Sequence, residues 1–293
     1  MCRNTVTEAM ANSPASKVTE LSMILSSEAN KSKTILLVEG PDDNTFYTRF
    51  ISVNDVVISV LKGCYYMPDI LLLVNANGKL RDKVIGIKDA DFDRITGKKY
   101  NIFNLFLTDT HDWETMTLTN ESERNISIES INRIENRLFD KVIKDLLNYS
   151  YLKLYNQVEI CDKSLEGINF QNFAIKKIYD GDSSCDLDVC LNTVHIHNNN
   201  SRLPHYPQRK DIEDMIIRYP NPDYLQLTCG HDIVHGVVQR MIFLNGRRGI
   251  SVGHKEVAMI LRTSFTIELF MQTNLYKAIK KWAEEHGRNV WAA

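Results

Sequence analysis

Residues 34–43 read Thr-Ile-Leu-Leu-Val-Glu-Gly-Pro-Asp-Asp, so an acid, a glycine and a proline follow an apolar run directly. The run has the length of a strand, and an uninterrupted apolar pattern is typical of a strand that is buried on both faces. Gly40 and Pro41 suit a turn and the first position of a helix, and Asp42 and Asp43 suit its first turn. The stretch therefore predicts a strand, a turn that carries Glu39, and a helix.

The following residues continue this alternation of strand and helix patterns. Asp43–Ile51 carries apolar residues at helical spacing, and Met67–Val74 is interpreted as a second helix. Further strands are predicted at Val56–Leu61, Lys83–Lys88 and Ile102–Leu107. Strands that alternate with helices at this spacing indicate a mostly parallel sheet with helices on its faces.

The pattern changes to a mainly helical one after about residue 127. Apolar residues at steps of three and four predict a long amphipathic helix over Ile128–Tyr155. Helical patterns return at Asp211–Ile217, Ile233–Leu244 and Glu256–His286, whereas His195-Ile196-His197 favours a loop or an edge strand. We therefore expect an N-terminal extension at 1–31 with a short helix at Lys17–Ser26, an α/β domain at 32–125, and a mainly helical domain at 126–293.

Composition and charge indicate an ordinary globular protein. Hydrophobic residues make up 43% of the chain and charged residues 25%, with a net charge of −2. The charge is uneven, because the residues from 239 to 293 include nine Lys or Arg and four acids. The six cysteines are scattered and are expected to be reduced thiols. No targeting signal is visible and the apolar runs are far shorter than the ~20 residues that span a bilayer, so we expect a soluble, cytoplasmic chain.

A second acidic motif follows another predicted strand. Asp89, Asp91 and Asp93 alternate directly after Lys83–Lys88. In an extended segment this spacing would point all three carboxylates the same way, at the edge of the sheet where ligands bind. Converging carboxylates repel one another unless a cation lies between them, and oxygen ligands favour Mg²⁺ or Mn²⁺.

Glu-Gly after a first strand and Asp-x-Asp after a later one resemble the signature of the TOPRIM family of topoisomerases, primases and overcoming-lysogenization-defect nucleases. The resemblance covers residues 34–116 and implies a metal-dependent nuclease with a TOPRIM-like, mostly parallel sheet. It implies Glu39 as a metal ligand or general acid-base, and Asp89 and Asp91 as metal-binding catalytic acids. Asp93 would extend the metal site, and Asp109 and Glu114 after the fourth strand could complete a two-metal site.

Three later segments resemble the effector family of the PARIS anti-phage defence system: Thr108–Glu114, Gly230–Asp232 and Thr273–Trp282. This resemblance implies a toxic endoribonuclease that cleaves transfer RNA. It also implies that an ABC-type ATPase subunit of the AriA type holds the nuclease until a phage protein is sensed, and that the released nuclease is a homodimer. No Walker A motif is present, so ATP hydrolysis would come from the partner.

Several basic residues are candidates for substrate contacts. Lys98 and Lys99 follow the acids, and Arg247 and Arg248 form a basic turn that could bind phosphate or be a solvated loop. His231 and His235 have the spacing of a zinc-binding helix, but the residue after His231 is Asp rather than the catalytic Glu of that motif. His231 is therefore interpreted as a structural or RNA-contacting residue.

Other functions stay open at this stage. The chain could cleave DNA instead of RNA, or it could be a non-catalytic adaptor subunit of an ATPase complex. An apolar stripe within Glu256–His286 could bind the ATPase, although such stripes more often belong to a protein's own core. The intact acids at Glu39, Asp89 and Asp91 favour an enzyme.

Overall fold

The computed structural model describes residues 13–61, 67–119, 137–163, 167–198, 206–245 and 252–292. The chain divides into two compact units. The first unit comprises residues 1–89, 99–109 and 266–293, and the second comprises 90–98 and 110–265. Each unit therefore combines segments that are distant in sequence, whereas the predicted domains are continuous. The predicted boundary between residues 125 and 126 lies outside the described ranges.

The first unit contains a four-stranded, fully parallel sheet, which confirms the predicted α/β architecture. Its strands are β1 (Thr34–Val38), β2 (Val56–Val60), β3 (Val84–Lys88) and β4 (Leu105–Leu107), in the order β2-β1-β3-β4. All five residues of β1 and of β3 are buried, which confirms the burial on both faces that the apolar run of β1 predicts. The last strand is shorter than predicted and begins at Leu105.

Helices α1 (Pro14–Ser26), α2 (Pro41–Tyr47) and α3 (Met67–Ala76) belong to the same unit. Leu21 and Leu25 of α1 join the buried cluster formed by β1 and α3, so the residues predicted as an N-terminal extension contribute to the core. Gly86 in β3 lets α3 lie close to the sheet, because a Cβ there would be 2.8 Å from the sulfur of Met67.

The end of the chain also belongs to the first unit, as helices α13 (Ile267–Gln272) and α14 (Asn274–Glu285). The ring of Phe270 in α13 packs against two aromatic residues of this unit: it stacks on Phe50, which follows α2, at 4.4 Å and meets Trp291, which follows α14, edge-on at 4.9 Å. The predicted apolar stripe is mostly buried within the chain, at Phe265, Phe270, Leu275, Ile279 and Trp282. These five residues of the stripe therefore belong to the protein's own core.

The second unit is helical. Its helices are α4 (Asp93–Thr96), α5 (Trp113–Thr117), α6 (Leu138–Asp145), α7 (Leu147–Tyr155), α8 (Leu187–His197), α9 (Arg209–Arg218), α10 (Tyr224–Leu227), α11 (Gly230–Leu244) and α12 (His254–Ser264). They surround one apolar core that includes Phe139, Leu152 and Ile233. Among the described residues, no helix is both long and apolar enough to cross a membrane.

Two local predictions in this unit are wrong. The helix predicted over Ile128–Tyr155 is interrupted at Leu146, which separates α6 from α7, while its residues before 137 lie outside the described ranges. His195-Ile196-His197 ends α8 instead of forming a loop or strand. The two histidines occupy alternate positions by chance. The apolar residues that determine the structure, such as Leu191 and Val194, are the buried residues of this helix.

Candidate metal centre

Three predicted acids in the first unit follow the ends of adjacent parallel strands. Glu39 comes directly after β1, Asp89 directly after β3, and Asp109 two residues after β4. The register pairs Leu37 with Gly86 and Lys88 with Leu107. Since the three strands are parallel neighbours, these acids lie at one edge of the sheet, where parallel sheets bind ligands.

Glu39 and Asp89 are in direct contact. The Oε1 atom of Glu39 accepts a hydrogen bond from the backbone N–H of Asp89 at 3.2 Å. Lys88, although it belongs to the buried strand β3, turns its ammonium group to the carbonyl oxygen of Asp89 at 2.6 Å. The positively charged side chain of Lys88 therefore lies next to Asp89. The sequence analysis did not single out this lysine.

Asp109 has a clear structural task. Its two carboxylate oxygens accept the backbone N–H groups of Asn274 at 2.7 Å and Leu275 at 2.8 Å. These are donors in the first turn of α14, where a negative charge is favourable. Asp43 acts similarly within α2 and accepts the N–H of Gly40 at 2.7 Å, as predicted for a residue at a helix N-terminus.

The sequence analysis missed Tyr47. This residue ends α2, is 1% exposed, and its hydroxyl group has no hydrogen-bond partner among the described residues. Burial raises the pKa of the phenol well above its ordinary value, and nearby carboxylates raise it further. These carboxylates are Asp43, Asp89, Asp109 and Glu39. Four acids of the first unit therefore disfavour ionisation of the buried Tyr47 phenol.

These groups suit a hard divalent cation. The donors at this edge of the sheet are carboxylate oxygens, which Mg²⁺ and Mn²⁺ prefer. A buried hydroxyl without a partner could be satisfied by a water molecule bound to such an ion. Within the described part of the first unit, however, no three acids have ligand oxygens that all lie within 4.8 Å of one another. Water molecules would therefore complete much of the coordination shell, as is usual for Mg²⁺.

Asp91 and Asp93 belong to the second unit, and their predicted extended spacing is wrong. The chain turns after β3: Asp91 has a positive φ of 45°, and Asp93 begins α4 and donates its N–H to Ala90 at 2.8 Å. Aspartate tolerates this left-handed conformation better than most residues do. The alternation of acids in the sequence does not reveal that Asp91 adopts it. The three carboxylates therefore do not extend from one face of a strand.

Asp93 and Glu114 have surroundings that were not predicted. Asp93 is buried, and one of its carboxylate oxygens lies 3.9 Å from the ammonium nitrogen of Lys98. Glu114 lies in the first turn of α5, where a carboxylate favours the helix N-terminus. Asp112, to which no role was assigned, caps α5 by accepting the N–H of Thr115 at 2.9 Å.

The predicted substrate-binding residues are exposed where the structure describes them. Lys98 and Lys99 are exposed, and the ammonium group of Lys98 also lies 3.6 Å from Asp162. His231 is exposed at the start of α11. Arg247 and Arg248 lie outside the described residues.

Three histidines of the second unit lie in a row. The rings of His231 and His235 are 4.5 Å apart, and His235 stacks on His254 at 4.5 Å. Burial lowers the pKa of His235 to about 4, and the two neighbouring imidazoles act in the same direction. Asp232, which follows His231, instead forms an ion pair with Lys153 at 2.6 Å. The zinc-motif spacing therefore does not correspond to a zinc-protease arrangement here.

No known family profile matches the sequence, and no curated protein matches it either.

Proposed function

We propose that the chain is a Mg²⁺- or Mn²⁺-dependent nuclease of the TOPRIM type. The observation that supports this most is the contact of Glu39 with Asp89 at the ends of two adjacent parallel strands. Both carboxylates also act electrostatically on the buried Tyr47 hydroxyl, which has no hydrogen-bond partner in the described part of the chain. The order of the acidic motifs, their strand context and the donor chemistry all agree with the resemblance.

In this proposal Glu39 and Asp89 bind the cation, whereas a catalytic role for Asp91 rests on the resemblance alone. The bound cation would neutralise charge on the phosphate and lower the pKa of an attacking water. Glu39 would in addition accept a proton from the nucleophile or return one to the leaving oxygen. The ammonium group of Lys88, beside Asp89, would partly offset the negative charge of the acids before substrate binds.

Asp109 takes a positioning role in this account. Both of its oxygens already hold the N-terminus of α14, so it contributes to the electrostatic field of the site more than to metal coordination. Asp93 and Glu114 remain candidates for a second ion on the strength of the resemblance alone.

The substrate that we propose is RNA, with transfer RNA as the first choice. The experiment incubates the purified chain with end-labelled transfer RNA, an unstructured RNA, single-stranded DNA and duplex DNA, with Mg²⁺, Mn²⁺ or a chelator. We expect metal-dependent cleavage of transfer RNA. Cleavage of DNA alone would instead support the DNA-nuclease alternative. An absence of cleavage from every substrate, including after release from the ATPase, would support the non-catalytic adaptor.

We further propose that the nuclease is a toxic effector resembling AriB of the PARIS system, and that an ABC-type ATPase restrains it. The test expresses the chain with and without the neighbouring ATPase gene and compares wild type with Glu39→Ala. We expect the wild type to be toxic only when it is released, and the ATPase to co-purify with both forms. A chain that is purified alone, fully active and tolerated by cells would contradict the defence role and leave the nuclease assignment intact.

A further inference from the structure

We propose that His111, Asp112 and Cys229 of the second unit form a binding site for a transition-metal dication, with Zn²⁺ as the best fit to their chemistry. One ring nitrogen, one carboxylate oxygen and the sulfur lie within 4.8 Å of one another. They form the one such group of three or more ligand-type side chains found among the described residues. This site uses none of Glu39, Asp89 and Asp91, and it goes beyond the proposed nuclease function.

The geometry is close to that of a metal site. In a tetrahedral zinc site with bonds of about 2.0 to 2.3 Å, neighbouring ligand atoms are about 3.5 Å apart. The ligand atoms lie at most 4.8 Å apart, about 1.3 Å more than this value, a difference that side-chain rotations can close. His111 and Asp112 are each 5% exposed, so any ion bound there would be largely shielded from solvent.

His111 is held as a metal-binding histidine usually is. Its Nδ1 atom is 3.0 Å from the carbonyl oxygen of Gln226, which can only accept a hydrogen bond. Nδ1 therefore donates this hydrogen bond, which leaves Nε2 as the ring nitrogen that could bind a metal. A backbone carbonyl that fixes the tautomer in this way is the typical outer partner of a metal-bound imidazole. The edge-on ring of Phe92, 4.9 Å away, further restricts the imidazole.

Asp112 keeps the capacity to bind a cation. Its Oδ1 atom accepts both the N–H and the hydroxyl of Thr115 at 2.9 Å, whereas its Oδ2 atom accepts only the N–H of Gly230 at 2.6 Å, so Oδ2 is the better candidate to bind a cation. Each carboxylate oxygen has two lone pairs, and carboxylates that bind metals are commonly hydrogen-bonded as well. The bond to Gly230 also holds the residue that follows Cys229 against the carboxylate.

Gly230 makes this approach possible. A Cβ atom at this position would lie 2.4 Å from an oxygen of Asp112 and 2.3 Å from the Cβ of Glu114. Both distances are shorter than real contacts, so a larger residue would push the start of α11 away from Asp112. Glycine therefore allows Cys229 and Asp112 to share one site.

The ligand set decides the metal class. A thiolate, an imidazole and a carboxylate suit Zn²⁺, whereas Mg²⁺ prefers oxygen ligands alone. Binding forms a zinc–sulfur bond and releases the thiol proton to solvent.

The experiment titrates the untagged, metal-free chain with Co²⁺, a spectroscopic substitute for zinc, in the presence of excess Mg²⁺. We expect one Co²⁺ per chain, a sulfur-to-cobalt charge-transfer band, and displacement of cobalt by Zn²⁺. Cys229→Ser should abolish the band and weaken binding by at least about 100-fold, more than the usual effect of losing an outer partner. Cys161→Ser changes a partly buried cysteine that is not one of the three proposed ligands. It should leave the charge-transfer band and the affinity for Co²⁺ unchanged.

A second measurement uses the unaltered chain, in case the variant does not fold. Alkylation by iodoacetamide is followed by mass spectrometry with and without Zn²⁺. Zinc should protect Cys229 and leave Cys161 unaffected. The proposal is overturned if no sulfur-to-cobalt band forms, if the band survives in Cys229→Ser, or if zinc does not protect Cys229. These readouts do not use nuclease activity, so this site and the proposed nuclease can fail independently.

Discussion

Glu39 accepts the backbone N–H of Asp89 at 3.2 Å, so two acids that are fifty positions apart in the sequence contact each other. The parallel register of β1 and β3 brings the strand ends level. The sheet, and not an attraction between the side chains, therefore brings the two negative groups together. Their mutual repulsion is a cost that a bound cation would remove.

This contact predicts how Glu39→Gln affects stability. An amide oxygen can still accept the N–H of Asp89, while the charge is lost. In the presence of a chelator, the free energy of unfolding in urea should stay equal to that of the wild type or rise, because repulsion is relieved. A fall of more than about 1 kcal/mol would show that the carboxylate stabilises the metal-free fold, which our account does not allow.

Tyr47→Phe should raise the stability of the chain and lower its activity. Removal of a buried hydroxyl without a partner should raise the free energy of unfolding of the metal-free chain by about 1 kcal/mol. The same change should reduce cleavage, because the hydroxyl would no longer bind water at the metal site. Tyr179→Phe is the matched control: its buried hydroxyl donates to Asp145 at 2.9 Å, so its loss should destabilise the fold. Equal destabilisation by both variants would contradict this interpretation of Tyr47.

Substitutions of Asp109 test whether this acid after β4 binds metal or caps a helix. Asp109→Ala should lower the free energy of unfolding by about 1 to 2 kcal/mol, because the N-terminus of α14 loses both acceptors. Asp109→Asn keeps one acceptor oxygen and should lose less stability while retaining cleavage. Loss of cleavage by a stable Asp109→Asn protein would instead place Asp109 among the metal ligands, as the sequence first suggested.

The fold is predictable where a pattern is local. Continuous apolar runs located β1 and β3, and the Gly40-Pro41 turn located the start of α2. The turn at Asp91 was missed, since its positive φ depends on contacts such as the hydrogen bond from its N–H to the carbonyl of His111 at 2.9 Å. A tertiary contact of this kind has no counterpart in the spacing of the residues.

The residues of the candidate sites are likewise predictable only where a local sequence pattern marks them. Acidic motifs next to strand ends identified Glu39 and Asp89, because strand direction alone brings such residues together. Tyr47 was hidden among the apolar residues of α2, where an aromatic residue is expected in the core. His111 and Cys229 are separated by more than a hundred residues, so only the folded chain shows that they are neighbours.

The row of histidines predicts a loss of stability in acid. The folded chain lowers the pKa of His235 from 6.5 to about 4, so the unfolded chain binds more protons between these values. Stability should be complete above about pH 6.5 and should fall as the pH decreases toward 4. His231 and His254 oppose protonation and Asp232 favours it. Urea unfolding of wild type and His235→Gln in a chelator checks this, and parallel pH profiles would contradict it.

The proposed nuclease centre is tested most directly by single-turnover cleavage of RNA with Mg²⁺, for wild type, Glu39→Ala and Asp89→Ala, each verified to be folded. Asp69→Asn, which removes an exposed acid from the first turn of α3, is the control for charge. We predict that both active-site variants fall below about a tenth of the wild-type rate, a loss of more than about 1.4 kcal/mol, while the control keeps its rate. A Glu39→Ala or Asp89→Ala protein that cleaves faster than about a tenth of the wild-type rate would contradict the central claim.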